Sequence, residues 1–165
     1  MKTLHSLTIA TLAVLALMAA SCSTTRRIPD DEILYTGVKK VEIAPADSSK
    51  INPAMASQIK KAVAFPPNNY LKIINWRYPF PLGLWVYNNW PNPKSGLRHW
   101  LYEKLVEEPV LVSDVRPEVR THMIEQILDN NGYFGGTATY SLIQGRNRKK
   151  AKILYKVDPG NAYPI

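Results

Sequence analysis

Ile127-Leu128-Asp129-Asn130-Asn131-Gly132-Tyr133-Phe134 is the stretch on which the fold turns. Ahead of it, Val119, Met123, Ile127 and Leu128 recur at helical spacing and are the expected buried stripe. Ser113 and Asp114 stand where they can cap this helix, with Pro117 and Glu118 in its first turn. Asn130-Asn131-Gly132 then ends it, because glycine takes the left-handed turn at little cost. After a Gly135-Gly136 kink, Ala138, Tyr140 and Leu142 alternate with Thr137, Thr139 and Ser141, which predicts a strand. Gly145-Arg146-Asn147 is a turn, and Ala151, Ile153, Tyr155 and Val157 alternate with Lys152, Leu154 and Lys156 in a partner strand.

Towards the N-terminus the pattern continues more weakly. Asn52-Pro53 reads as a helix start, a capping side chain before proline at the first helical position. Met55, Ile59, Ala62 and Val63 fall on one face, and Pro66-Pro67 stop the helix. Before it, Val38 to Ile43 alternates, with Val41 and Ile43 on one face, and Pro45 and Asp47-Ser48-Ser49 close the strand. The expected order is strand, helix, insertion, helix, strand, strand. One sheet face buried under two helices makes an α+β sandwich of two layers.

The insertion, residues 66–109, holds most of the thirteen prolines and all four tryptophans. Phe80 to Tyr87 is apolar between turn-rich flanks and keeps neither period for long, while Gly96 to Val106 allows a short helix on Leu97, Leu101 and Leu105. Trp76, Trp85, Trp90 and Trp100 imply that the segment packs on the domain or rests on another surface.

The first residues concern location. Lys2, the apolar run Leu7 to Ala20 and the small residues Ala19-Ala20-Ser21 read as a secretory signal, too short for a membrane span. Cys22, the one cysteine, stands directly after them. That arrangement resembles a bacterial lipoprotein signal, with Ala19 where leucine is usual, and implies an acyl lipid, diacylglycerol, on Cys22. An ordinary secreted protein with one free thiol is the alternative. Residues 1–21 are thus the expected signal peptide and 22–35 a polar tether. Loss of Lys2 with the signal lowers the net charge from +8 to +7. Secretion argues against nucleic acid and for anionic headgroups or an acidic protein face.

The helix stop quoted above, the basic turn, and Ile153-Leu154-Tyr155-Lys156-Val157-Asp158-Pro159-Gly160 together resemble a POTRA domain. These are the periplasmic modules of the outer-membrane assembly family that includes BamA and TamA. In that pattern Gly132 permits the turn, Tyr133 or Phe134 tucks beneath it, and Gly160 releases the last strand toward a next module. The Cys22 signal, Pro66-Pro67-Asn68, Leu84-Trp85-Val86-Tyr87-Asn88 and Glu107-Glu108-Pro109-Val110 resemble the lipoprotein TamA-like group of Bacteroidota. Ala62-Val63-Ala64-Phe65 departs from it, being less polar. The resemblance implies a POTRA-like domain over residues 36–160, with 161–165 a truncated link to a missing domain and barrel. It also implies residence on the periplasmic face of the outer membrane, unfolded outer-membrane proteins as clients, and a TamB-like inner-membrane partner.

For such a domain the expected activity is strand addition, with Ala138, Tyr140 and Leu142 on the candidate edge. The same edge serves equally to contact a neighbouring domain. Arg146, Arg148, Lys149, Lys150 and Lys152 are a candidate basic surface, or charges that keep a turn soluble. A rival reading is a carbohydrate- or cell-wall-binding lipoprotein stacking sugars on its tryptophans. Catalysis is not expected: His99 and His122 are the imidazoles outside the signal, and no HExxH, GxSxG or metal-ligand spacing occurs, so neither a metal nor another cofactor is expected.

Overall fold

The computed structural model describes residues 24–44, 52–68, 70–71, 76–77 and 81–160. The signal peptide, Cys22 and the 161–165 link lie outside the described residues, as does the Trp76 side chain. The chain is mixed α and β and divides into two compact units.

The larger unit takes in the described residues of 28–79 and 109–165. Its elements are β1 (Leu34–Ile43), α1 (Pro53–Val63), a two-residue pair β2 (Tyr70–Leu71) and β3 (Trp76–Arg77), then, beyond the insertion, the short helix Val112–Val115, a long helix Pro117–Asn130, β4 (Thr137–Gln144) and β5 (Lys150–Asp158). β5 lies in the middle of a three-stranded sheet, parallel to β1 and antiparallel to β4. Ala151, Ile153, Tyr155 and Val157 of β5 are buried beneath Met55, Ile59 and Val63 of α1 and Ile124 and Leu128 of the long helix. Burying such side chains contributes about 1.5–3 kcal/mol each.

β1 begins at Leu34, well before Val38, and the reason is visible in its register. Two residues separate Tyr35 from Val38 where β5 has one, and Lys39 is extra between Val38 and Lys40. Two bulges thus bring Tyr35, Val38, Val41 and Ile43 all opposite the buried side of β5. Gly37, at φ 117, supplies the backbone for the first. A strict two-residue period therefore finds only the part of the strand from Val38 on. The segment 22–35, expected to be a tether, is correspondingly structured from Thr24 on: Thr24, Thr25, Ile28, Leu34 and Tyr35 are buried.

α1 matches its sequence signals. Asn52 Oδ1 accepts from the Ala54 N–H at 2.9 Å, Pro53 opens the helix, and Met55, Ile59 and Val63 are buried. The long helix differs from expectation at its start and in its face. Ser113 and Asp114 sit in the separate turn Val112–Val115, where Asp114 Oδ2 accepts from the Leu111 N–H. Arg116, left-handed at φ 49, then redirects the chain before Pro117. The buried face is Pro117, Thr121, Ile124 and Leu128, whereas Val119 is 51% exposed and Met123 42%. Arg120 sets that rotation: its guanidinium donates to Val115 O at 2.8 Å and Ala62 O at 2.6 Å and lies 5.1 Å from the Phe65 ring.

The helix end is as read. Gly132 has φ 84, its N–H donates to Asp129 O, and the Tyr133 N–H donates to Leu128 O, both at 3.0 Å. Tyr133 packs on the core, and Phe134 is exposed, so only the first of the two tucks under the helix. Gly160, at φ 64, follows the end of β5 and donates to Asp158 Oδ1.

The smaller unit comprises the described residues of 1–27 and 80–108. This is a narrower span than the 66–109 insertion. Within the stretch read as keeping neither period, Phe80 lies outside the described residues, and a helix, α2, runs Leu82–Asn89. Pro81 stands at its N-cap and Gly83 lies against Leu105 and Glu107, where a Cβ would come within 2.6 Å of Glu107 Cβ. These two residues look like helix breakers in the sequence but sit at positions that allow or require them. α3 (Leu97–Leu105) forms as expected but buries Tyr102, leaving Leu97 and Leu105 exposed. Residues 24–27 are joined to the end of α2. Buried Asn88 donates to Thr24 O at 3.1 Å and accepts from the Arg27 N–H at 2.8 Å, and the Arg27 guanidinium donates to Tyr87 O and Trp90 O. In the numbering used below, α4 is Val112–Val115 and α5 is Pro117–Asn130.

Candidate functional site

The sheet has two edges, and they differ. β1 is bulged twice, and its first residues are covered: the Tyr35 N–H donates to Val110 O and the Val112 N–H to Ile33 O, each at 2.9 Å. Bulges and lysines (here Lys39 and Lys40) are devices that discourage edge pairing. β4 has neither. It pairs with β5 from Thr137↔Asp158 to Gln144↔Ala151 without a register shift.

The direction of the β4 backbone follows from its neighbour. The Val157 carbonyl accepts from the Ala44 N–H, so the main-chain groups of Val157 face the β1 side. Its opposite residue, Ala138, is therefore in a non-hydrogen-bonded pair and turns its own N–H and C=O to the open edge. By the period of two, Tyr140 and Leu142 do the same. These are the three expected edge residues, and their side chains lie on the helix-covered face.

α5 packs over this edge. Glu125 Oε1 accepts from the outward Ala138 N–H at 3.2 Å, and the Tyr140 hydroxyl donates to Glu118. The Tyr140 bond, then the backbone N–H of Glu118 itself, hold the Glu118 carboxyl below its ordinary value. The same bond raises the Tyr140 hydroxyl. His122 lies between them in the helix, its Nδ1 3.1 Å from Glu125 Oε2, and is exposed. In the sequence Glu118 stands out only as a first-turn acid and Glu125 not at all, although the two are seven residues apart and so share a helix face.

The basic residues separate. Arg146, Lys150 and Lys152 join Lys39 around a shallow depression of about 430 Å³ at one end of the uncovered sheet face. Lys149 turns to Asp30, 2.6 Å away, and to Ile28 O, and its hydrogen bond and charge lower the Asp30 carboxyl. Arg148 is exposed and its carbonyl accepts from Gln144. Beside β1, an apolar depression of about 890 Å³ is lined by Val38, Val41, Val63, Phe65 and Pro66-Pro67.

Among the tryptophans, Trp85 and Trp90 meet edge to face at 66°, so this pair offers no flat stacking row, and Trp100 is 55% exposed. His99 is bound to Pro93 O and Glu103 within its own unit. Among the described residues no three His, Cys, Asp or Glu side chains gather as a metal-holding group, and no helix is long and apolar enough to cross a membrane.

What is defined at this point is an α+β domain that, among the described residues, has one open, regular sheet edge. No protein family, curated protein or solved structure matches the chain.

Proposed function

We propose that the larger unit is a POTRA domain that binds extended chains by strand addition along β4, in a lipoprotein acylated at Cys22. One observation carries this reading: the sheet, completed in the order strand, helix, helix, strand, strand, ends in an unbulged β4 whose outward N–H and C=O groups include those of Ala138, Tyr140 and Leu142. Main-chain pairing asks little of the partner sequence, which suits a receptor for many clients. The clients are unfolded outer-membrane proteins, the site is the periplasmic face of the outer membrane, and a TamB-like protein is the inner-membrane partner. The function is binding, without catalysis, cofactor or nucleic acid. The Trp85–Trp90 geometry gives no support to the rival sugar-stacking platform.

Amide exchange tests the reading. Adding an unfolded outer-membrane protein to the mature chain is expected to slow exchange at Tyr140 and Leu142 and leave Val41 unchanged. Client binding without protection in β4 overturns strand addition there.

A further inference from the structure

A strand that pairs with the open edge of β4 is subject to a side-chain rule. Residues of the incoming chain directly opposite Ala138 and Tyr140 send their side chains to the same face as those two, the face covered by α5. They are two positions apart on the incoming chain, one strand spacing of about 4.8 Å beyond β4. What they meet there is already in place: Glu125 reaches the Ala138 N–H and Glu118 reaches the Tyr140 hydroxyl. Asp129 continues the same helix face and is exposed. The cation within α5, Arg120, points the other way, to Val115 O and Ala62 O.

We propose that the β4 edge selects extended segments with cationic side chains at alternate positions, i and i+2, lying opposite Ala138 and Tyr140 beside Glu125 and Glu118. This specificity rests on the strand-addition reading above. Glu125 is its determinant because it occupies the main-chain donor that the incoming carbonyl needs. When that carbonyl takes the Ala138 N–H, the Glu125 carboxylate is released next to the new side chain. A lysine or arginine there gives it a charge-assisted partner, so donor and carboxylate both remain bonded. An apolar residue leaves the carboxylate only the contact of its other oxygen with His122 Nδ1 at 3.1 Å, and an acidic one adds repulsion.

The test uses the mature full chain and fluorescent ten-residue peptides on one Thr/Val background. One carries Lys at i and i+2, one Lys at i and i+1, one Gln at i and i+2, and one Glu at i and i+2. Binding is read by anisotropy at low salt and located by exchange at Tyr140 and Leu142. The expected result is that Lys at i and i+2 binds at least about tenfold tighter than Gln, with Glu weakest and adjacent lysines between. Glu118→Gln with Glu125→Gln should bring the Lys and Gln peptides together, and Glu125→Gln alone should narrow the gap if the double variant folds poorly. Equal binding of all peptides with β4 protected overturns the charge rule and leaves strand addition standing. Lysine-dependent binding without protection in β4, or no binding by any peptide, overturns strand addition and the rule with it.

Discussion

Gly132 and Tyr155 show how differently single residues announce themselves. Gly132 was legible because a left-handed helix exit after Asn130-Asn131 has few other solutions, and the backbone there is at φ 84. Gly132→Val is expected to destabilise the larger unit by about 1 kcal/mol or more, since a branched Cβ is strained at positive φ. An unchanged melting curve would contradict it. Arg116, at φ 49, had no such signal: nothing local asks an arginine to be left-handed, and the turn between α4 and α5 imposes it. Tyr155 read as one more inward residue of β5, but its hydroxyl is buried and has no hydrogen-bond partner among the described residues. Burial pushes its ionisation up to about 12. Because the folded form holds its proton above the usual value of 10.0, stability is full below pH 10 and falls as pH rises towards 12. Tyr155→Phe should therefore raise stability at neutral pH by about 1 kcal/mol, by removing an unsatisfied buried group, and flatten the alkaline loss. Destabilisation by this substitution would show that the hydroxyl is satisfied in solution.

Among the elements, existence was easier to read than orientation. The stripe expected for α5 is Val119, Met123, Ile127 and Leu128; Leu128 is buried and Ile127 packs on the core, yet Val119 and Met123 are exposed and Thr121 and Ile124 are buried in their place. Thr121 hides its polarity by donating to Glu118 O at 2.7 Å, and Arg120 fixes the rotation against α1 and Phe65. Hydrophobic spacing sees neither contact. Ile124→Ala is accordingly expected to cost about 2–5 kcal/mol, and Met123→Ala to stay within about 0.5 kcal/mol. Chemical denaturation that ranks them the other way would restore the face read from spacing. The bond from Tyr140 to Glu118 adds a pH signature. Glu118 ionises below its ordinary 4.5 when folded, so its share of stability is complete above that value and is lost as pH falls through the lower folded one. Tyr140→Phe should reduce the loss of stability on the acid side, and an unaltered acid limb would mean that β4 and α5 do not meet through this bond. That contact was not legible because it joins two elements through side chains of no distinctive spacing. β1 was half legible, its bulges breaking the alternation on either side of Val38.

The chain as a whole was legible where its order depends on local periods and illegible where distant residues complete one another. The succession of strand, helix, helix, strand, strand belongs to the first kind. The composition of the smaller unit belongs to the second: Arg27 and Thr24 bind Asn88 across more than sixty residues, and no local pattern joins them. That union bears on the proposed anchor. Cys22 precedes Thr24 by two residues, a reach of about 7 Å when extended. An acyl chain on Cys22 would then hold the smaller unit at the bilayer, where its exposed Trp100 and Leu97, 74% accessible, suit an interface. Cys22→Ala is expected to leave the membrane fraction, and intact mass of the wild-type chain to show the added lipid. In the acylated protein, brominated lipids should quench tryptophan emission, and Trp100→Phe should remove a large part of that quenching. Membrane retention of Cys22→Ala would overturn the anchor itself. An acylated chain whose tryptophans stay unquenched would keep the anchor and place the smaller unit away from the lipid surface.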